Sequence, residues 1–398
     1  MVHIVLVRRA VWALLFCITS TLLADSYHPH ILKSQVVTLD AKAIEGSANS
    51  GTPFELALGD THLKVVLWPT PVWPKEGLPV VEIERDTVVA ERVVQGNITY
   101  AGEVVDEGPE TSEARFTIAH GVLDGYVLSD TGWWFIEPLS RFDPKAGAEQ
   151  YLVYATRDLD FALDLNDDVT TDRVYAPPGP YRDSRIGLVM VADEGYACLR
   201  GDGLTVYERH TTLLNQINGI YKREAGREFK LAKSATYIGS ALPSTEYHSV
   251  INEFSSLVVT QHMLDGDDKD IAHLTTARTM DDDVLGVADP GGNIAVSHQG
   301  VVRIANAGTS QWVQARMLAY QNMWVAAHEI GHNFGGKHEF ADKWCVWDTF
   351  LGCLDYERSL MWEKFYPDNT ARFSDGTRNP LHNNKKEVRE QMMNRFAF

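Results

Sequence analysis

The eleven residues His328-Glu329-Ile330-Gly331-His332-Asn333-Phe334-Gly335-Gly336-Lys337-His338 bring three imidazoles and a carboxylate into short reach of one another. Residues 317–327, just ahead, are rich in helix formers. A helix running through them puts His328 and His332 one turn apart on one face, both aimed at a single ion. Glu329 is turned about a quarter of the way round, within reach of a water at that ion but outside its coordination shell. His338, six residues beyond His332, points the wrong way on a continuous helix, so the chain must turn. Gly335 and Gly336 are free to take a positive φ there and swing His338 back. Three nitrogen ligands and an open fourth position describe one catalytic zinc ion, whereas a structural site is closed by a fourth ligand. The chemistry implied is hydrolysis, with Glu329 as general base.

The elements that must position this cluster form two textures. Residues 25–160 alternate short apolar-polar strands with Gly, Pro and Asp, for example 63–68, 114–119 and 122–128, the last two split by His120-Gly121. This half reads as antiparallel β, with Trp133-Trp134-Phe135 packing rings into a core. A polar break over 164–185 contains Pro177-Pro178-Gly179-Pro180 and reads as a linker. Its Asp164-x-Asn166-x-Asp168 spacing lacks the Gly of a calcium loop. Beyond it, 186–191 reads as a buried strand, and Leu213, Leu214, Ile217, Ile220 and Tyr221 recur on one helical face. A strand is expected over 229–238 and another over 270–276. Between them Val250, Ile251, Phe254, Leu257 and Val258 mark a second amphipathic helix. The fold class expected is α+β to α/β: a β-rich domain over 25–163, a linker over 164–185, and an α/β domain with mixed sheet and long helices over 186–398.

At 398 residues the chain exceeds one ordinary core, and its 44% hydrophobic and 23% charged residues are those of a folded protein. The formal charge of −18, with no offsetting basic patch, speaks against nucleic acid as a partner. Arg8 and Arg9, an apolar run over 10–23, and Ala24 read as a secretory signal over 1–24. A secreted protein with no stable membrane insertion after signal removal is expected, and a monomer. Cleavage leaves Cys198, Cys345 and Cys353, so one is odd. A local Cys345–Cys353 disulfide is the natural pairing, with Cys198 a buried free thiol, though pairing of Cys198 with either stays open. Asn97-Ile98-Thr99 is a glycosylation site only in a host that glycosylates. The acidic 265–270 stretch is read as solvated loop, so calcium lacks support.

The pattern H-E-x-x-H-x-x-G-x-x-H resembles that of the metzincin metalloproteases, and residues 331–335 look most like the adamalysin (reprolysin, ADAM-like) branch. Ser359-Leu360-Met361-Trp362 is similar to the Met-turn beneath the zinc of that clan. The resemblance extends over most of 185–398. It implies that Asp283, Val284, Leu285, Gly286, Val287 and Ala288 form an edge strand whose backbone takes an extended protein or peptide substrate as an added strand. Arg372-Phe373-Ser374 and the helix after it resemble the segment beside the specificity pocket. Residues 100–102 and 121–125 are a weaker match to the family's propeptide. Glu339 stands where the branch has Asp, and no cysteine between signal and catalytic domain offers thiolate latency. The reading is therefore a secreted zinc metalloendopeptidase. Its rivals are an inert zinc-binding scaffold whose β half is the working module, and a zinc amidase. The Arg182-Asp183-Ser184-Arg185 run offers basic residues for processing, and an ordinary charged linker explains it equally well.

Overall fold

The structure is a computed structural model. It describes residues 27–58, 61–85, 87–160, 163–164, 185–199, 202–239, 244–266, 269–281, 284–288, 293–299, 301–305, 312–336, 347–348, 352–353, 360–361, 364–365, 388 and 392.

The strands of the first half are β1 (Gln35–Thr38), β2 (Phe54–Leu58), β3 (Thr61–Pro69), β4 (Leu78–Glu84), β5 (Thr87–Val94), β6 (Thr99–Val104), β7 (Glu113–Ala119), β8 (Val122–Ser129), β9 (Gly132–Pro138), β10 (Gln150–Ala155) and β11 (Leu163–Asp164). Eight of them form an antiparallel sheet in the order β1-β10-β9-β8-β7-β6-β3-β2. Helix α1 (Ala41–Ser50) is capped by Asp40, whose carboxylate accepts from the amides of Lys42 and Ala43. It buries Ala41, Ile44 and Ala48 in a core shared with one face of this sheet.

The second half adds β12 (Arg185–Ala192), β13 (Glu228–Ile238), β14 (Ile271–Thr276), β15 (Gly286–Ala288) and β16 (Ile294–His298). With β4 and β5 they make a seven-stranded sheet ordered β15-β16-β14-β12-β13-β4-β5. Its inner five strands run parallel, and β15 and β5 are antiparallel edges. Two strands of the first half thus belong to the second sheet. Val80 to Glu84 pair with Ser234 to Ile238 of β13. The strand expected over 283–288 forms pairs only from Gly286 onward.

Three helices serve this sheet: α3 (Val206–Ala225), α4 (Tyr247–Thr260) and α5 (Ala319–Asn333), with a short α2 (Glu194–Ala197). Helix α4 packs Val250, Phe254, Leu257 and Val258 on one face of the sheet, while Ile251 is half-buried. Helices α3 and α5 lie on the other face, in a core that also takes Tyr126, Phe135 and Tyr154 from the first sheet. Because both sheets press on α3, its polar side is buried as well. The amide of Asn215 donates to the carbonyls of Tyr100 and Phe116, and that of Asn218 to Phe229.

Hairpins β17 (Val301–Ala305) with β18 (Trp312–Arg316), and β19 (Trp347–Asp348) with β20 (Gly352–Cys353), follow. Strand β21 (Lys364–Phe365) pairs back on β11. No helix among the described residues is long and apolar enough to cross a membrane. Cys198 is a free thiol but is exposed rather than buried, because it follows the single turn of α2 at the surface. Cys345 lies outside the described residues, so its pairing with Cys353 does too.

Candidate active site

Helix α5 carries His328, Glu329 and His332, all fully buried. Its amino end begins at Leu318, a residue with no capping side chain. The caps come from elsewhere: Gln321 Oε1 accepts from the amide of Leu318, and Glu137 Oε1, from β9, accepts from the amide of Ala319. At its far end the helix stops after Asn333. Gly335 takes a φ of 80°, a left-handed conformation that glycine adopts without strain, and the amide of Gly336 returns to the carbonyl of Gly331.

That turn has a consequence for the imidazoles. The carbonyl of Gly336 lies 2.7 Å from Nδ1 of His332, and the carbonyl of Leu360 lies 2.7 Å from Nδ1 of His328. A carbonyl only accepts, so each ring donates from Nδ1 and carries its lone pair on Nε2. The two Nε2 atoms face each other at 3.0 Å. Two lone pairs so close repel, and a cation shared between them converts that repulsion into binding. Two nitrogens on one zinc ion in tetrahedral geometry are roughly 3.3 Å apart, given Zn–N bonds of about 2.05 Å. The pair therefore fits zinc in both spacing and tautomer, and the Nδ1 contacts are the orienting bonds that metal-binding histidines use. His338 lies outside the described residues. Among those described, no group of three or more His, Cys, Asp or Glu is gathered as a metal cage.

Around this pair the packing is close. The Trp324 ring stacks on His328 with centroids 5.1 Å apart. Met361, fully buried, sets its thioether against Gly336, where an added Cβ would stand 3.0 Å from Cε and 3.1 Å from Sδ. Residues 360 and 361 thus support the helix end twice, through the Leu360 carbonyl and the Met361 side chain. Asn333 Nδ2 donates to the carbonyl of Ile294 and ties α5 to β16.

Glu329 faces β15. A Cβ on Gly286 would fall 2.2 Å from Glu329 Oε1 and 2.4 Å from Cδ, so the strand's backbone lies directly against the carboxylate. Val284, Leu285 and Val287 are buried in the cores on either side. Strand β15 ends the sheet, and no described strand pairs with its outer edge. Any extended ligand there would be read through backbone groups.

Three residues that sequence reasoning did not assign to the site join it. The Tyr221 hydroxyl donates to the Ala327 carbonyl at 2.8 Å, and burial, then the nearby Glu329 charge, push its pKa well above the ordinary range. Glu137 and Trp324 are the others. Tyr221 had a signal in its helical spacing, whereas Glu137 is 182 positions from Ala319 and had none.

Residues 182–373 match a family model described as Metallo-peptidase family M12 (Reprolysin_5), and in this region the chain is similar to those peptidases. The match contains all of α5 and both described imidazoles. Among solved structures, metalloproteinase-II from Bacteroides fragilis aligns over 88% of this chain and 94% of its own, with 13% identity and a TM-score of 0.46. A chain in a chaperone–substrate complex aligns over 84% and 42%, with 11% identity and a TM-score of 0.34. Archaemetzincin from Methanopyrus kandleri aligns over 53% and 97%, with 16% identity and a TM-score of 0.31. No curated protein matches.

Proposed function

We propose that the chain is a secreted zinc metalloendopeptidase of the metzincin type, in which His328, His332 and His338 hold the ion and Glu329 is the general base. The observation that carries this is the pair of Nε2 atoms facing at 3.0 Å, with each Nδ1 held by a carbonyl, beside a buried carboxylate on the same helix. When bound, zinc supplies Lewis acidity that polarises a peptide carbonyl and brings the pKa of water toward neutrality. Glu329 takes the proton from the attacking water and later delivers it to the departing amine. Gly286 keeps strand β15 close enough for its backbone to seat an extended peptide beside Glu329, and Leu360 and Gly336 hold the two imidazoles in the donating tautomer. The adamalysin branch, with its signal over 1–24 and its β-rich first half, is part of the same reading.

Casein digestion by the purified protein tests it. Digestion should stop with a zinc chelator and return with added zinc. Digestion indifferent to the chelator would contradict the proposal, and no digestion by the zinc-loaded protein would contradict it and favour a binding scaffold.

A further inference from the structure

The first half of the chain is joined to the second by strand pairing as well as by side chains. Strand β4 is not appended to the second sheet but pairs in parallel with β13, the strand beside the sheet's centre, and brings β5 with it. Without 78–94 the edge of β13 would lie open, and Val81 and Ile83 would leave the core under α4. Strand β11 pairs with β21 near the far end of the chain.

A buried charge network crosses the same boundary. Arg141 donates to Asp124 and Glu137 of its own half and reaches Asp202 of the other at 3.3 Å, where Arg209 and Arg316 converge as well. Burial pushes the Asp202 carboxyl up, but these guanidiniums together outweigh it and hold Asp202 well below the usual carboxylate range. Removing one half would leave buried charges of the other without their partners, which is costly for any buried network. Glu137 also accepts from Tyr154 at 2.6 Å and from the amide of Ala319, so the first half supplies the carboxylate that α5 lacks at its own amino end. A negative group there complements the helix dipole as well as the orphan amide.

We infer that the amino-terminal half is a permanent part of the working protein, with Glu137 serving as the cap of the helix that carries His328, Glu329 and His332, and is not released for activity. This rests on the peptidase reading only where activity is the readout.

A site for a sequence-specific protease placed within 165–184 of the full chain allows the halves to be nicked after folding. After nicking, the two fragments should elute together on a native sizing column, separate only in denaturant, and digest casein at the rate of the uncut protein. Glu137→Gln should lower the denaturant concentration at which the nicked halves part. Separation on the native column, or digestion that begins only once the amino-terminal fragment has been removed, would overturn the inference. If neither cut nor uncut protein digests casein, the peptidase reading fails, and co-elution still decides whether the halves are one body.

Discussion

Gly286 of β15 and Glu329 of α5 are packed together: the smallest side-chain addition at 286 would sit 2.2 Å from the Glu329 carboxylate oxygen. A methyl group cannot share that space. Gly286→Ala must push β15 outward or turn the carboxylate away from its place beside the imidazoles. A displacement near 1 Å in a catalytic group costs on the order of 10²-fold in turnover. Peptide hydrolysis by Gly286→Ala should fall by about that factor, with zinc content unchanged. Hydrolysis at the parental rate would show that Glu329 does not need this position.

Tyr221 acts on the same helix from α3. Tyr221→Phe removes the hydroxyl that donates to Ala327. The expected loss is about 1 kcal/mol, the usual net value of one buried hydrogen bond. Urea unfolding reads it as a lower midpoint with an unchanged slope, while zinc content stays at parental stoichiometry.

Acid should destabilise the fold from about pH 6.5 downward, where unfolded imidazoles begin to take up protons. His210 and His273 are fully buried, and burial depresses both to about 3; His30 is lowered to about 3 by burial and then by His28. Unfolded, each titrates near 6.5. Below that value the unfolded chain takes up protons that the folded one refuses, so stability is lost as pH falls from about 6.5 toward 3. Asp124, raised to about 6 by burial against the pull of Arg141, works the other way by one proton. The histidines outnumber it. Unfolding free energy should be level from pH 7 to about 9 and decline below 6.5, and His210→Gln should flatten the decline by about 1.4 kcal/mol per pH unit. A profile that rises toward pH 5 would contradict the buried neutral imidazoles.

The spacing of His328, Glu329 and His332 was legible because a helix converts sequence distance directly into direction. So were β12, β13, β14 and α4, whose apolar periods match their faces. Helix α3 was legible only in part. Asn215 and Asn218 are buried against backbone of the two sheets, and a polar side chain with buried partners looks in sequence like one in water. Alternation in 78–94 marks strands without saying which sheet they join, since pairing across more than a hundred residues leaves no local trace. The Glu137 cap on α5 is hidden for the same reason.

His332→Ala should lose metal and hydrolysis together, because it removes one of the two facing nitrogens. Zinc measured by atomic absorption should drop below parental stoichiometry. Full zinc retention in this variant would deny His332 its role as a ligand.

The most direct test compares parental protein and Glu329→Gln for zinc content and peptide cleavage in the same preparation. The change keeps the size of the side chain and removes its basicity. Both proteins should hold one zinc per chain, and only the parent should cleave. Cleavage by Glu329→Gln at a rate near the parent's, or a parental protein that cleaves without zinc, would contradict the assignment of Glu329 as the base at a zinc centre.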